Sequence, residues 1–499
     1  LTLIFKKHLR NAWPYALVVG VFLFLLSPIL PTLGRGIWGP ADPWVNGDFN
    51  GGWWLWWAAS ERLGGVDWTQ AVGFPEGAVS LARVIPNPTD MFLLGLTGPP
   101  TPLKWNAVQL LHLIGTLCAG VALARAAGAS RWAAAVALCL VAGSPVMLHE
   151  VAGGRPSNLI VWPGILALVA LLKGRSKASG LWAALQAVLY LWHGVALVCV
   201  GLVLVKDWKV ARKAALWGAA AVFPYLLWLL WGNSGLPNQA PPDGFTQLPL
   251  AGLWGLEAVP ERFRLHALLL PLSFLALKGQ RHWLIAGLVG LALALGPWPT
   301  WALGDPLGAG PMAWLAWGLP PLDRLHHPVR ITAIALPVLA VAVALGLDAF
   351  SKGRWVGASV VVLVLLNPGP VRRATTYDQS PAIPFSHLEI PGEGPIVDVL
   401  GMTGRAALSL QTQHRRAIAE PLLFRRGAGA VGADLQALAL GQSPSAGLWN
   451  RLRAQGFTTV LVMDRQGDSE AVLSRVQAAL GAPLAPGVFS LGGGELRRP

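Results

Sequence analysis

Long apolar runs punctuated by short basic clusters organise this chain. Ala12 to Leu33 and Ile331 to Leu347 carry no charge over a length that crosses roughly 30 Å of hydrocarbon. The second of these belongs to a span near 329–350, and further runs near 105–126, 131–148, 158–172, 214–231, 264–278, 282–296 and 354–367 predict additional spans. Ala178 to Val205 has basic clusters on both sides, so it is expected to enter and return as two short helices, with His193 and Gly194 at the turn. The sum is about eleven crossings.

Between the first two spans, Gly34 to Lys104 is longer than a membrane connection needs to be, and long loops are usually functional or separately folded. Within it, Trp53 to Leu63 has the Trp-rich, amphipathic pattern of a helix lying at the membrane interface. Two later loops, near 232–262 and 297–328, are rich in Pro, Gly and Trp. After Asn367-Pro-Gly-Pro370 the pattern becomes that of a soluble protein. Strands are expected at Pro395 to Leu400 and Thr458 to Met463, and helices at Ser443 to Ala454 and Ser469 to Leu480. The predicted fold class is therefore an all-α polytopic membrane bundle over residues 1–370, with a loop domain at 34–104, followed by a small α/β soluble domain over 371–499.

Composition agrees with lipid as the solvent. Hydrophobic residues make up 54% of the chain and charged residues 12%, with a mean hydropathy of +0.52. The net charge of +14 would suggest nucleic acid in a soluble protein. Here the charges sit between spans instead: Lys6, Lys7 and Arg10; Arg125 and Arg131; Lys173, Arg175 and Lys177; Lys206 to Lys213; Lys278 and Arg281; Lys352 and Arg354. The positive-inside rule puts these clusters and the N-terminus in the cytoplasm, and the tail outside, in a bacterial inner membrane. Nucleic acid is not an expected partner; membrane lipids are. Cys118, Cys139 and Cys199 all fall in apolar runs, which indicates neither a disulfide framework nor a cysteine metal site.

Outside the tail, nearly all acids fall on the external side, and two stand out. Asp48 follows the first span in Asp42-Pro-Trp-Val-Asn-Gly-Asp48 and precedes Trp53, Trp54, Trp56 and Trp57. A carboxylate desolvated by aromatics at the membrane surface is placed to take a proton from an acceptor nucleophile, with Trp53 as a substrate contact; mere tolerance of acids in external loops is the plain alternative. Glu150 lies beside His149 in His149-Glu-Val-Ala-Gly-Gly-Arg155. With Asp48 these two would supply ligands that Mg²⁺ or Mn²⁺ accepts; His149 is equally readable as an interfacial hydrogen-bonding group. Arg155 reads either as a phosphate ligand or as a snorkelling side chain. His193 reads as a ligand contact or as a core histidine satisfied by nearby backbone. Asp323-Arg324-Leu-His326-His327-Pro-Val-Arg330 offers a lipid phosphate two arginines and two histidines, or anchors headgroups.

There is no phosphate-loop signature, nucleotide fingerprint, zinc-protease helix or nucleophile elbow. Charged residues are also missing from the span centres, which argues against an ion-coupled transporter. The overall pattern, together with Gly47-Asp48, Gly73-Phe-Pro-Glu-Gly77, Ala294-Leu-Gly-Pro297 and Leu322 to Arg330, resembles the GT-C membrane glycosyltransferases, in particular an uncharacterised bacterial branch. That resemblance implies transfer of a sugar from a polyprenyl-phosphate donor to a lipid, glycan or protein acceptor. It implies Asp48 as base or acceptor-orienting carboxylate, Glu150 as second acid or ligand, and Arg324 or Arg330 as stabiliser of the departing phosphate. A paired Asp-x-Asp is missing from the first loop, which leaves metal dependence open. The alternatives are a non-catalytic scaffold or partner subunit of the same architecture in envelope assembly, and a transporter of lipid-linked saccharides.

Overall fold

A computed structural model of the 499-residue chain describes residues 2–36, 38, 48–66, 93–152, 158, 160–233, 248–256, 258–260, 264–302, 305–318, 327–350, 352–366, 390–399, 411, 415–418, 434–435, 437–438, 447–462 and 469–491. The described part is mostly helical. In chain order the principal helices are α1 (Thr2–Leu25), α2 (Asp48–Leu63), α3 (Pro102–Ala126), α4 (Arg131–Ala142), α5 (Pro145–Ala152), α6 (Trp162–Leu172), α7 (Ser176–Leu189) and α8 (Leu191–Leu204). They continue as α9 (Trp208–Asn233), α10 (Arg281–Ala294), α11 (Pro311–Gly318), α12 (Thr332–Ala349), α13 (Gly353–Leu366), α14 (Leu448–Ala454) and α15 (Ser469–Leu480), with strands β1 (Ile396–Asp398), β2 (Thr459–Leu461) and β3 (Val488–Ser490). The chain divides into two compact units, one of Leu1–Trp38, Pro102–Leu230 and Ser234–Asp378, the other of Gly39–Thr101, Trp231–Asn233 and Gln379–Pro499.

The first unit is built around α4 and α12. Every residue of α4 from Ala133 to Ala142 and of α12 from Thr332 to Leu347 is buried, the pattern of a helix that is apolar all round. Small residues set how closely neighbours approach. A Cβ on Gly290 of α10 would lie 2.8 Å from the Ala335 Cβ on α12, closer than real side chains come. Two polar side chains in the first turns of α3 clasp the segment that follows α1. The Asn106 amide donates to the Leu33 and Gly36 carbonyls at 2.9 and 2.7 Å and accepts from the Trp38 backbone at 2.8 Å. Gln109 donates to the Trp38 carbonyl at 3.1 Å.

Among the described residues, Pro102–Ala126 and Pro328–Ala349 are long and apolar enough to cross a membrane. A third crossing results if Arg131–Ala142 and Pro145–Val151, bent by 59° at their break, are one span. Of the roughly eleven crossings expected from hydropathy, two of them as short helices within 178–205, two or three thus pass this test among the described residues. The apolar helices Trp162–Leu172, Leu191–Leu204, Arg281–Ala294 and Gly353–Leu366 are shorter than the roughly 20 residues a straight crossing needs. Local chemistry explains the breaks. Ser144 returns its hydroxyl to the Leu140 carbonyl at 3.0 Å, and the Val146 N–H beyond it donates to the Arg264 carbonyl, outside the helix. Tyr190 is extended (φ −155°, ψ 102°) and separates α7 from α8 three residues before the turn expected at His193. Gly194 lets the two helices meet, since a Cβ there would fall 2.7 Å from the Ala187 Cβ.

In the second unit, α2 differs from its expectation as an interface helix. Trp53, Trp54, Trp56 and Trp57 are all buried in the protein, because indole N–H groups find partners within the unit. Trp54 donates to Gln411 Oε1 at 2.6 Å and Trp56 to the Gly98 carbonyl at 2.9 Å. Glu61 pairs with Arg415 at 3.2 Å. The described tail residues also carry a three-stranded sheet in the order β1-β2-β3, with β1 parallel and β3 antiparallel to β2. Val397, Val460 and Phe489 of this sheet pack with Leu448 and Leu452 of α14 and Val472 and Val476 of α15. Arg416 ties its edge, donating to the Gly394 and Glu393 carbonyls at 2.6 and 3.0 Å and to Thr459 Oγ1 at 2.6 Å. Burial lowers the guanidinium pKa from its ordinary value, with Glu393 acting in the opposite direction.

Candidate functional site

The helical unit has two chemically distinct ends. Asp348, close to the end of α12, accepts hydrogen bonds from the backbone and hydroxyl of Ser130, the cap that starts α4. Because α4 and α12 pack on each other, they run antiparallel, and the start of α12 shares the opposite end with the close of α4. Arg330 lies at that end, in the Pro328–Ile331 3-10 turn that leads into α12. The chain leaves α4 there for α5, which carries His149 and Glu150.

Around Arg330 the structure gathers a polar cluster in an otherwise apolar setting. His193, fully buried on the first turns of α8, has its Nε2 3.0 Å from the Arg330 carbonyl. A carbonyl only accepts, so Nε2 carries the proton and Nδ1 is left as an acceptor. Gln186 of α7 faces that Nδ1 at 3.5 Å, and its amide nitrogen also donates to the Ile160 carbonyl at 2.8 Å. The Gln186 carbonyl oxygen accepts from the Gly164 N–H at 3.1 Å. The break at Tyr190 turns its ring onto His193, with centroids 4.3 Å apart. Its hydroxyl oxygen accepts from the Arg330 guanidinium at 3.3 Å. Arg330 is therefore held twice, by its carbonyl and by its side chain. A guanidinium fixed in this way has the planar fork that matches phosphate oxygens.

Of the residues predicted from sequence, the structure brings together His193 and Arg330. His327 sits half-buried immediately before the 3-10 turn. The Glu150 carboxylate accepts from the Asn158 amide at 2.6 Å, and His149 adjoins it on α5. Asp48 is the first residue of α2, and Trp53 on that helix is buried. Arg155, Arg324 and His326 lie outside the described residues. Among the described residues no group of three His, Cys, Asp or Glu side chains could hold a metal ion; the Asp48 side chain lies outside them. Sequence reasoning missed Tyr190, Gln186 and Asn158. The only hint was polar character inside apolar runs, at one and two helical turns before His193 for the first two.

No protein-family model and no curated protein sequence matches the chain. Solved structures do. ArnT from Cupriavidus metallidurans bound to undecaprenyl phosphate aligns over 97% of this chain and 98% of its own, at 13% identity and a TM-score of 0.54. The same enzyme in the apo state aligns with equal coverage at 14% identity and a TM-score of 0.55. The chain has the GT-C fold. The mycobacterial arabinofuranosyltransferase AftD also shares it, over 90% of this chain and 35% of its own length, at 16% identity and a TM-score of 0.50. GT-C proteins are multi-pass membrane proteins, and the apolar helices of this chain fit that setting.

Proposed function

We propose that the protein is a membrane glycosyltransferase that takes a sugar from a polyprenyl-phosphate-linked donor and passes it to a lipid, glycan or protein acceptor. The observation that carries this reading is the alignment with ArnT over nearly the full length of both chains, since that enzyme was solved holding undecaprenyl phosphate. In the reaction, an acceptor oxygen forms a bond to the anomeric carbon as the bond from that carbon to the phosphate oxygen breaks. The polyprenyl phosphate leaves with the bonding pair and the acceptor proton passes to a carboxylate. Arg330, held by Tyr190 and His193, is the group suited to the charge that grows on the departing phosphate. Asp48 is the expected proton acceptor, and Glu150, oriented by Asn158, the second acid.

The same reading places the Arg330 end of the helical unit outside and the opposite, arginine-rich end in the cytoplasm, following the positive-inside rule. It treats the short apolar helices as broken crossings of an approximately eleven-span bundle, and the tail as an external α/β domain.

The test is turnover by full-length protein in nanodiscs, supplied with a panel of polyprenyl-phosphate sugars and an envelope lipid extract as acceptor. Mass spectrometry follows both the freed polyprenyl phosphate and the glycosylated product. Sugar-dependent product that disappears with Asp48→Asn supports the reading. Donor that binds but is never consumed would leave the protein as a non-catalytic partner of the same fold.

A further inference from the structure

The Asp348 end of the helical unit holds an open cleft of about 650 Å³ lined by Trp13, Arg125, Ser130, Arg131, Trp132 and Arg354. Four segments build it: α1, the last turn of α3, the start of α4 and the start of α13. Arginines from three helices thus line one space, with Arg125 also donating to the Ala129 carbonyl. Arg125 and Arg354 are exposed, and Arg131 half-exposed. Asp348 offsets part of this charge and is engaged by Ser130. Trp132 is wedged against α13, where a Cβ on Gly357 would come within 2.2 Å of its ring.

The depth of the cleft is set by the two helices long enough to cross a membrane. Arg125 lies in the last turn of Pro102–Ala126, and Asp348 at the end of Pro328–Ala349. Both helices end at this cleft, so it sits where hydrocarbon gives way to water. Trp13, 38% exposed, and Trp132 supply the aromatic groups that favour that boundary. A soluble anion would need only the arginines. Arginines flanked by interfacial tryptophans, at the ends of crossing helices, suit a ligand with an anionic head and an apolar body.

We propose that this cleft binds the headgroup phosphate of an anionic glycerophospholipid from the surrounding bilayer. The lipid phosphate sits among Arg125, Arg131 and Arg354, and its glycerol and upper acyl chains lie against Trp13 and Trp132. This site is separate from the polar cluster at Arg330 and does not depend on the transferase reading.

The experiment is native mass spectrometry of full-length protein released from nanodiscs of phosphatidylcholine and phosphatidylglycerol in equal parts. Wild type is expected to retain phosphatidylglycerol preferentially. The Arg131→Gln/Arg354→Gln double variant is expected to lose about tenfold of that preference, the effect of roughly one charge-assisted contact. Arg354→Glu alone, altering one exposed side chain, should shift retention in the same direction if the double variant does not fold. Equal retention of both lipids by wild type, or unchanged retention in the folded variants, overturns the proposal. So does equal thermal stabilisation by water-soluble glycerol phosphate, which would make the cleft a site for free anions.

Discussion

Arginines at the two ends of the helical unit are held in opposite ways. Arg330 is half-buried, its carbonyl fixed by a fully buried histidine and its guanidinium by a buried tyrosine. Arg125 and Arg354 are exposed around an open cleft in which Arg131 is the least accessible of the three. Holding a charge in place costs side-chain entropy and desolvation before any ligand arrives, and that cost is returned only where geometry matters in the bound state. At the open cleft Arg125 donates to the Ala129 carbonyl, and exposed guanidinium groups there contribute attraction with little discrimination. The contrast separates an end suited to a reacting phosphate from one suited to a headgroup.

The largest expected effect tests the fixed arginine directly. Arg330→Gln keeps a side chain able to donate but removes the charge and the fork, and should lower kcat/KM for the lipid-linked donor by about 10²- to 10³-fold. Arg330→Lys restores the charge without the planar geometry and should recover only part of the loss. Single-turnover assays on the purified variants read this. If Arg330→Gln turns over like wild type, the distinction between the two ends has no catalytic content.

His193→Ala comes next, and its first readout is stability. The substitution empties a fully buried site and removes the side-chain donor to the Arg330 carbonyl, which also accepts from the Thr332 N–H, a loss of about 2–4 kcal/mol from the cavity and the lost hydrogen bond together. Thermal unfolding in detergent should show a lowered Tm. The surviving folded fraction should bind donor more weakly because the turn carrying Arg330 is no longer pinned. An unchanged Tm would mean that the His193 contact does not hold the turn.

Much of this was legible in the sequence, and what was not has identifiable causes. Hydropathy located the apolar helices because lipid and protein interiors select the same residues. It could not count crossings, because apolar character continues on both sides of a break: Tyr190 interrupts a helix without adding charge, Gly or Pro, and Gly143-Ser144-Pro145 does so inside a run that stays apolar. His193 and Arg330 were visible as polar residues in apolar or boundary positions. Gln186 was not, because its amide satisfies backbone groups of a segment remote in sequence, Ile160 and Gly164, and long-range pairing leaves no local trace. The four tryptophans of α2 misled in an instructive way. An indole that seeks one polar partner has the same sequence signature whether that partner is an interface or, as for Trp54, a glutamine 357 positions away.

Tyr190→Phe carries the smallest effect and the sharpest meaning. The ring and its stacking on His193 remain, and only the hydroxyl that accepts from the Arg330 guanidinium is lost. One such bond contributes about 0.5–1.5 kcal/mol, so kcat/KM should fall between a few-fold and about tenfold. The fall should vanish in the Arg330→Gln background, because Tyr190 acts through the guanidinium that this variant lacks. A double-mutant cycle on donor turnover measures the coupling. Additive losses would show that the tyrosine serves the reaction by another route, and that what fixes Arg330 is its backbone contact with His193 alone.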